Sequence, residues 1–145
     1  MANVERDLAH KIIEHTHTNL FLTGRAGTGK TTFLRQLREE SHKRMVVLAP
    51  TGIAAINAGG VTIHSFLQLP FGMYIPGSRF SNEQFRFSNR KRKLIRSLDL
   101  IVIDEISMVR ADLLDCMDAA LRRLRTDPRP FVGVQLLMIG DLQQL

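Results

Sequence analysis

One cysteine, Cys116, in 145 residues excludes an internal disulfide framework and a cysteine-built zinc cluster. Residues 1–20 carry Glu5, Arg6, Asp7, Lys11 and Glu14 and no apolar block, so no secretory signal is expected there. Residues 45–78 contain no Asp, Glu, Lys or Arg. Pro50, Gly52, Gly59, Gly60, Pro70 and Gly72 interrupt that run, which excludes a spanning helix. There is no repeat and no low-complexity tract. A reducing intracellular setting, cytoplasm or nucleoid, is expected, with no membrane partner.

What remains is an ordinary soluble domain, 44% hydrophobic and 23% charged, with chain enough for one core. Twenty Lys and Arg against fourteen Asp and Glu leave a net charge of +6, which favours a polyanionic partner, nucleic acid before membrane. Residues 1–80 hold nine basic and five acidic residues, residues 81–100 six and two, and residues 101–145 five and seven. The middle block is therefore the anion-attracting part. Gly72, Pro76, Gly77 and Ser78 mark a loop-rich stretch over about 70–82.

Val4, Leu8 and Ile12 recur at four-residue spacing behind Asn3, a helix signature. Strands are predicted at 19–23, 45–49, 100–103 and 134–139, and helices at about 30–40, 52–58 and 109–125. Strands alternating with helices predict an α/β fold with a mostly parallel sheet. The chain stops shortly after the last predicted strand, with no closing helix, so it is expected to be a fragment.

Gly24-Arg25-Ala26-Gly27-Thr28-Gly29-Lys30-Thr31 fits G-x-x-x-x-G-K-[ST] at every fixed position. Its glycines let successive N–H groups point at phosphate oxygens, and the following helix aims its dipole at the same anion. Lys30 would reach the terminal phosphates and the Thr31 hydroxyl would ligate Mg²⁺. Asp104 and Glu105 follow the apolar run Leu100–Ile103. They are placed to hold the hydrated Mg²⁺ and to polarise the attacking water. Gln144, beyond another apolar strand, is placed to sense the γ-phosphate.

The phosphate loop, Ala49-Pro50-Thr51-Gly52, Thr62-Ile63-His64-Ser65-Phe66, Asp104-Glu105-Ile106-Ser107-Met108-Val109 and Gly140-Asp141-x-x-Gln144-Leu145 occur in one order. That order resembles superfamily 1 DNA helicases. The Thr62–Phe66 and Asp104–Val109 strings look specifically like the PIF (petite integration frequency) family, relatives of the RecD and Dda helicases. The resemblance spans about 19–145 and corresponds to the family's first RecA-like domain. It implies a RecA-like P-loop NTPase fold, a parallel sheet flanked by helices, with a small basic insertion at about 67–97 and truncation at the C-terminus. It implies ATP and Mg²⁺ as cofactors and 5′-to-3′ movement on single-stranded DNA. ATP would be held by Gly24, Arg25, Ala26, Gly27, Thr28, Gly29, Lys30, Thr31 and Thr32, and Mg²⁺ by Thr31 and Asp104. Lys30, Glu105 and Gln144 would be catalytic. The implied DNA track runs through Pro50, Thr51, Gly52, Asn57, His64, Ser65 and Phe66.

Strand-end loops and helix N-termini suit DNA phosphates, and His64 and Phe66 would offer ring faces for base stacking, unless Phe66 is a core aromatic and His64 structural. The basic segment Arg86, Arg90, Lys91, Arg92, Lys93 and Arg96 interleaves with Phe80, Phe85 and Phe87; it reads either as a solvated face or as a DNA contact near the fork. Two departures stand out. Residues 1–35 contain no Gln, where the family usually reads adenine with one; Asn3 is the available shorter amide. The family's second RecA-like domain is expected to be absent from these residues. Alternatives are a P-loop ATP/DNA-binding adaptor and a helicase-loader-type ATPase; the His64-Ser65-Phe66 string and Gln144 favour the helicase over the loader. His10, His15 and His17 lack a supporting acid or Cys pattern for a metal, and Cys116 reads as a small buried residue. RecA-like sheets place the 134–139 strand between 19–23 and 100–103.

Overall fold

A computed structural model of the chain describes residues 3–24, 29–69 and 87–141. The loop-rich stretch 70–82, Phe80, Phe85, Arg86, Arg25–Thr28 and Gln144 lie outside them. The described strands are β1 (Leu20–Thr23), β2 (Met45–Ala49), β3 (Val61–Thr62), β4 (Leu100–Ile103) and β5 (Gln135–Gly140). They form one parallel sheet in the order β1-β5-β4-β2-β3. Helix α1 (Asn3–His15) precedes β1, and α2 (Lys30–Glu40), α3 (Gly52–Ala58), α4 (Ile63–Leu67), α5 (Asn89–Ser97) and α6 (Ala111–Arg122) lie in the connections between strands, as parallel strands require. β5 pairs with β1 (Leu22↔Ile139) and with β4 (Ile101↔Leu136), the order expected of a RecA-like sheet.

The alternation of side chains along each strand builds two cores. Leu48, Ile101, Ile103 and Leu136 face α4, α5 and α6, joining Ile63, Phe66, Ile95, Met117 and Leu121. Val47, Leu100, Val102, Leu137 and Ile139 face the other way, onto Ala9, Ile13, Phe33, Leu34 and Leu37 of α1 and α2. All four residues of β4 are buried, so the strand reads as an unbroken apolar run rather than an alternating one.

Several boundaries differ from the sequence reading. The strand predicted at 134–139 runs one residue later, and the 109–125 helix narrows to α6. β3 and α4, within the charge-free run, are too short for a periodicity to register. Before β5, Phe131 (φ 53), Val132 (φ 50) and Gly133 (φ 76) are all left-handed, a conformation that a β-branched residue rarely adopts. Asp118 Oδ1 accepts from Phe131 N at 2.7 Å, and Val132 is fully buried; these contacts hold the turn.

The amino ends of the strands are tied by polar contacts. Gln135, a buried amide, accepts from Lys43 Nζ at 2.6 Å and donates to Thr18 O at 2.8 Å. Glu14, at the end of α1, accepts from Ser41 Oγ at 2.6 Å and His42 N at 2.9 Å. The Ser41 hydroxyl, then the His42 amide, hold its carboxyl down from 4.5 to about 2. A depressed carboxyl contributes stability above its unfolded pKa and loses it as pH falls toward the folded one. Glu14→Gln is therefore expected to cost about 1 kcal/mol at neutral pH. The gap from wild type in urea melts should narrow between about pH 5 and pH 3; an equal gap at both would remove this role.

Candidate nucleotide and DNA site

Because all the strands are parallel, their carboxyl ends share one rim, and the candidate site lies along it. A cleft of about 650 Å³ is lined by Gly29, Lys30 and Thr31 at the start of α2, Asp104 and Glu105 beyond β4, Gly140 and Asp141 at the end of β5, and Asn57–Gly59 at the end of α3. Thus Lys30, Thr31, Asp104, Glu105 and Asn57, drawn from three separate stretches of sequence, share one cavity.

Gly29 caps α2 in the left-handed conformation (φ 90), and no side chain caps the helix. Its first N–H groups are thus left for an anion. Lys30 Nζ donates to Gly24 O at 2.6 Å, spanning the loop whose residues Arg25, Ala26, Gly27 and Thr28 lie outside the described ones. Thr31 and Thr32 are exposed. Facing them, Asp104 is anchored by its N–H donating to Leu48 O at 2.8 Å. Burial pushes the Asp104 carboxyl up, opposed by the Glu105 N–H that donates to it at 2.9 Å and by the charge of Lys30. Glu105 is itself left-handed (φ 55) and starts a tight turn, Ile106–Met108. Gln144 falls outside the described residues; Asp141, three positions earlier, reaches the cleft.

The expected DNA residues gather on the same rim. Thr51 caps α3, its Oγ1 accepting from Ala54 N at 3.2 Å, and Thr62 caps α4, accepting from Ser65 N at 3.1 Å. Pro50 is half-buried, while Thr51, Gly52, Asn57 and Ser65 are exposed. His64 is half-buried; burial, then the charge of Arg110, lowers its pKa. Phe66 departs from expectation. Its ring is 5% exposed and lies in the core, with Lys91 Nζ 4.3 Å from the ring centroid and donating to Phe66 O at 3.0 Å. A ring covered on all sides offers no face to a base, so stacking at Phe66 is replaced by an anchoring role for α4.

The basic segment divides in the same way. Lys91, Arg92 (to Phe87 O, 3.1 Å) and Arg96 (to Leu124 O, 3.1 Å) bind carbonyls, whereas Arg90 and Lys93 are exposed. Cys116 is buried, and burial with the nearby Asp112 pushes its thiol up to about 11. Sequence reading missed three contributors. Thr62 carried a usable signal, a threonine three residues before Ser65, whose N–H it accepts as the cap of α4. Arg110 and Arg38, whose guanidinium donates to Gly59 O, carried none, since each acts across distant sequence.

A family model described as PIF1-like helicase matches residues 2–145. Bacteroides sp Pif1 in complex with ADP-AlF4 superposes with a TM-score of 0.91 at 48% identity, covering 100% of this chain and 33% of that one. Bacteroides Pif1 bound to ssDNA gives 0.88 at 48%, covering 98% and 32%. The ATP-dependent DNA helicase PIF1 of Saccharomyces cerevisiae is 38% identical over 149 residues, covering 97% of this chain and 17% of the relative. The human protein of that name is 37% identical over 133 residues, covering 88% and 20%. The chain thus spans about a third of these solved relatives and a fifth or less of these curated ones.

Burial, then the charge of Arg110, holds the His64 pKa below its ordinary value. Arg110→Gln removes a facing cation and should move the NMR titration midpoint of the His64 ring upward. An unmoved midpoint would mean that Arg110 does not act on this histidine.

Proposed function

The chain belongs to the PIF1-like helicase family, and we propose that it is the ATP-binding and hydrolysing motor domain of a 5′-to-3′ DNA helicase acting on single-stranded DNA. One observation carries the reading: Lys30, Thr31, Asp104 and Glu105 line one cleft at the carboxyl rim, beside the capped starts of α3 and α4. The Bacteroides relatives, one in complex with ADP-AlF4 and one bound to ssDNA, support both ligands.

The residues fit Mg·ATP. A helix start without a side-chain cap, an ammonium bonded to a carbonyl, and a half-buried carboxylate opposite suit a polyphosphate and its cation. Bound there, Mg·ATP would supply the phosphoanhydride whose hydrolysis drives movement. Lys30 would exchange Gly24 O for phosphate oxygens. The Thr31 hydroxyl and Asp104 would hold Mg²⁺, whose charge favours the ionised form that burial opposes. Glu105 would take the proton of the attacking water, and Gln144 would sense the γ-phosphate. Gly24, Arg25, Ala26, Gly27, Thr28, Gly29 and Thr32 complete the phosphate cradle in this reading. DNA phosphates would lie along Pro50, Thr51, Gly52, Asn57, His64 and Ser65, with residues 1–145 as one RecA-like domain and about 67–97 as its basic insertion.

Glu105→Gln in the full-length protein should retain ATP and lose hydrolysis, because water activation fails while Asp104 still holds the metal. Wild-type turnover in that variant would overturn the assignment. Reversing Arg90 and Lys93 should reduce the slope of log affinity against log salt by roughly 0.7 per lost contact with single-stranded DNA; an unchanged slope returns α5 to a solvated face. Residues 1–145 alone should hydrolyse ATP barely. They would lack the opposing arginine of a second RecA-like domain, a group worth about 10³–10⁵ in rate in related phosphoryl transfers. Robust DNA-stimulated turnover by a monomeric preparation would refute the two-domain requirement.

A further inference from the structure

The acidic turn and the end of β5 meet at one point. A Cβ added to Gly140 would stand 2.7 Å from Ile106 Cγ2, 3.4 Å from Ser107 N and 3.5 Å from Ile106 N. The first distance is too short for two carbons, so a side chain at residue 140 displaces either β5 or the turn. β5 is the stiffer partner. It pairs with β1 up to Thr23↔Gly140, and Ile139 is buried in the core. The turn is held locally, by Met108 N donating to Glu105 O and Val109 N to Ile106 O, both at 3.0 Å. β4 pairs with β5 only as far as Ile103↔Met138. Beyond that the chain leaves the ladder and crosses the end of β5, with Glu105 as the pivot in its left-handed conformation.

We propose that Gly140 is a positioning residue for Glu105: its bare α-carbon seats the Ile106–Met108 turn on β5 and so fixes where the Glu105 carboxylate stands in the cleft. The inference rests on the assignment of water activation to Glu105. It also makes the strand end that leads to Gln144 a direct neighbour of the turn that follows Glu105, so a shift of one reaches the other through the contact of Gly140 with Ile106. Gly140 does not supply Lys30, Thr31 or the start of α2, and the binding of ATP should not depend on it.

The test uses the full-length protein, with steady-state ATP hydrolysis in saturating single-stranded DNA and circular dichroism to establish folding. Misplacing a reacting group by about 1 Å costs on the order of 100-fold in rate. Gly140→Ala is therefore expected to lower kcat by roughly 10- to 100-fold while KM for ATP stays within about two-fold. Ile106→Ala removes the clashing Cγ2. The double variant G140A/I106A should recover kcat to within about three-fold of I106A alone. A merely structural role would not give this split and this rescue. If G140A does not fold, the pair I106A and G140A/I106A decides: equal kcat supports the seating, and a low kcat in the double variant overturns it. Unchanged kcat in G140A, or a rise in KM that accounts for the loss, also overturns it. A wild-type protein that hydrolyses no ATP fails the functional reading instead, and that arm is measured first.

Discussion

Strand β5 hydrogen-bonds on both edges, to β1 through Leu20↔Leu137 and Thr23↔Gly140 and to β4 through Leu100↔Gln135 and Ile103↔Met138. The rest of the rim depends on that insertion. It separates the phosphate-loop strand from the acidic strand by one strand width on each side, roughly 10 Å in all. Across this gap Lys30, on the helix after β1, still acts electrostatically on Asp104, beyond β4. Direct pairing of β1 with β4 would crowd the two segments and leave the end of β5 outside the cleft.

Parallel strands alone would not bring charge to the rim; the two-sided core does so. β4 is buried on both faces, so the first place in its chain where a carboxylate can meet solvent or a cation is just past Ile103, at Asp104. β2 likewise carries Leu48 to one core and Val47 to the other, and its first polar successors are Pro50–Gly52. The amino rim is tied instead by Gln135, Lys43, Glu14 and Asn19. The sheet is thus braced at its amino rim by hydrogen bonds that its own residues satisfy, while its carboxyl rim brings Lys30, Asp104 and Glu105 into the cleft.

Legibility in the sequence followed the range of the interaction. β1, α2, β2, α3 and β4 were readable because each declares itself within ten or so residues, through an apolar run or a glycine-rich turn. The sheet order was readable only through the family resemblance, since pairing between residues 20 and 137 leaves no local trace. β3 is two residues long and α4 five, below the length at which a period shows. The left-handed turn at Phe131–Gly133 contradicts the preferences of Phe and Val, and only the contacts of Asp118 and the core explain it. In the candidate site, residue types were legible and environments were not. Phe66 read as either a stacking ring or a core aromatic, and Lys91 as part of either a solvated face or a DNA contact. Each is occupied by the other, because a ring that is 5% exposed and an ammonium 4.3 Å above it satisfy one another.

That pair points to how the rim residues are held. α4 is only five residues long, too short to be stable alone, yet it carries His64 and Ser65. Ile63, Phe66 and Leu67 are buried beneath it, and Lys91 clamps its last turn from α5. α3 is short as well and carries Asn57 to the cleft, with Arg38 of α2 bonded to the carbonyl of Gly59 at its end. Each of these two short helices is therefore fixed by a long cation reaching from a longer helix. The ladder contributes less there: β2 and β3 share only Leu48↔Val61 and Ala49↔Thr62, against four pairs between β2 and β4. Arg38 lies eight residues beyond Lys30 on the same helix, so a displacement of α2 at the phosphate site reaches α3 through a guanidinium as well as through the sheet. The Lys30 side of the rim is built on the ladder and the core, and the side formed by α3 and α4 hangs from it by individual cations.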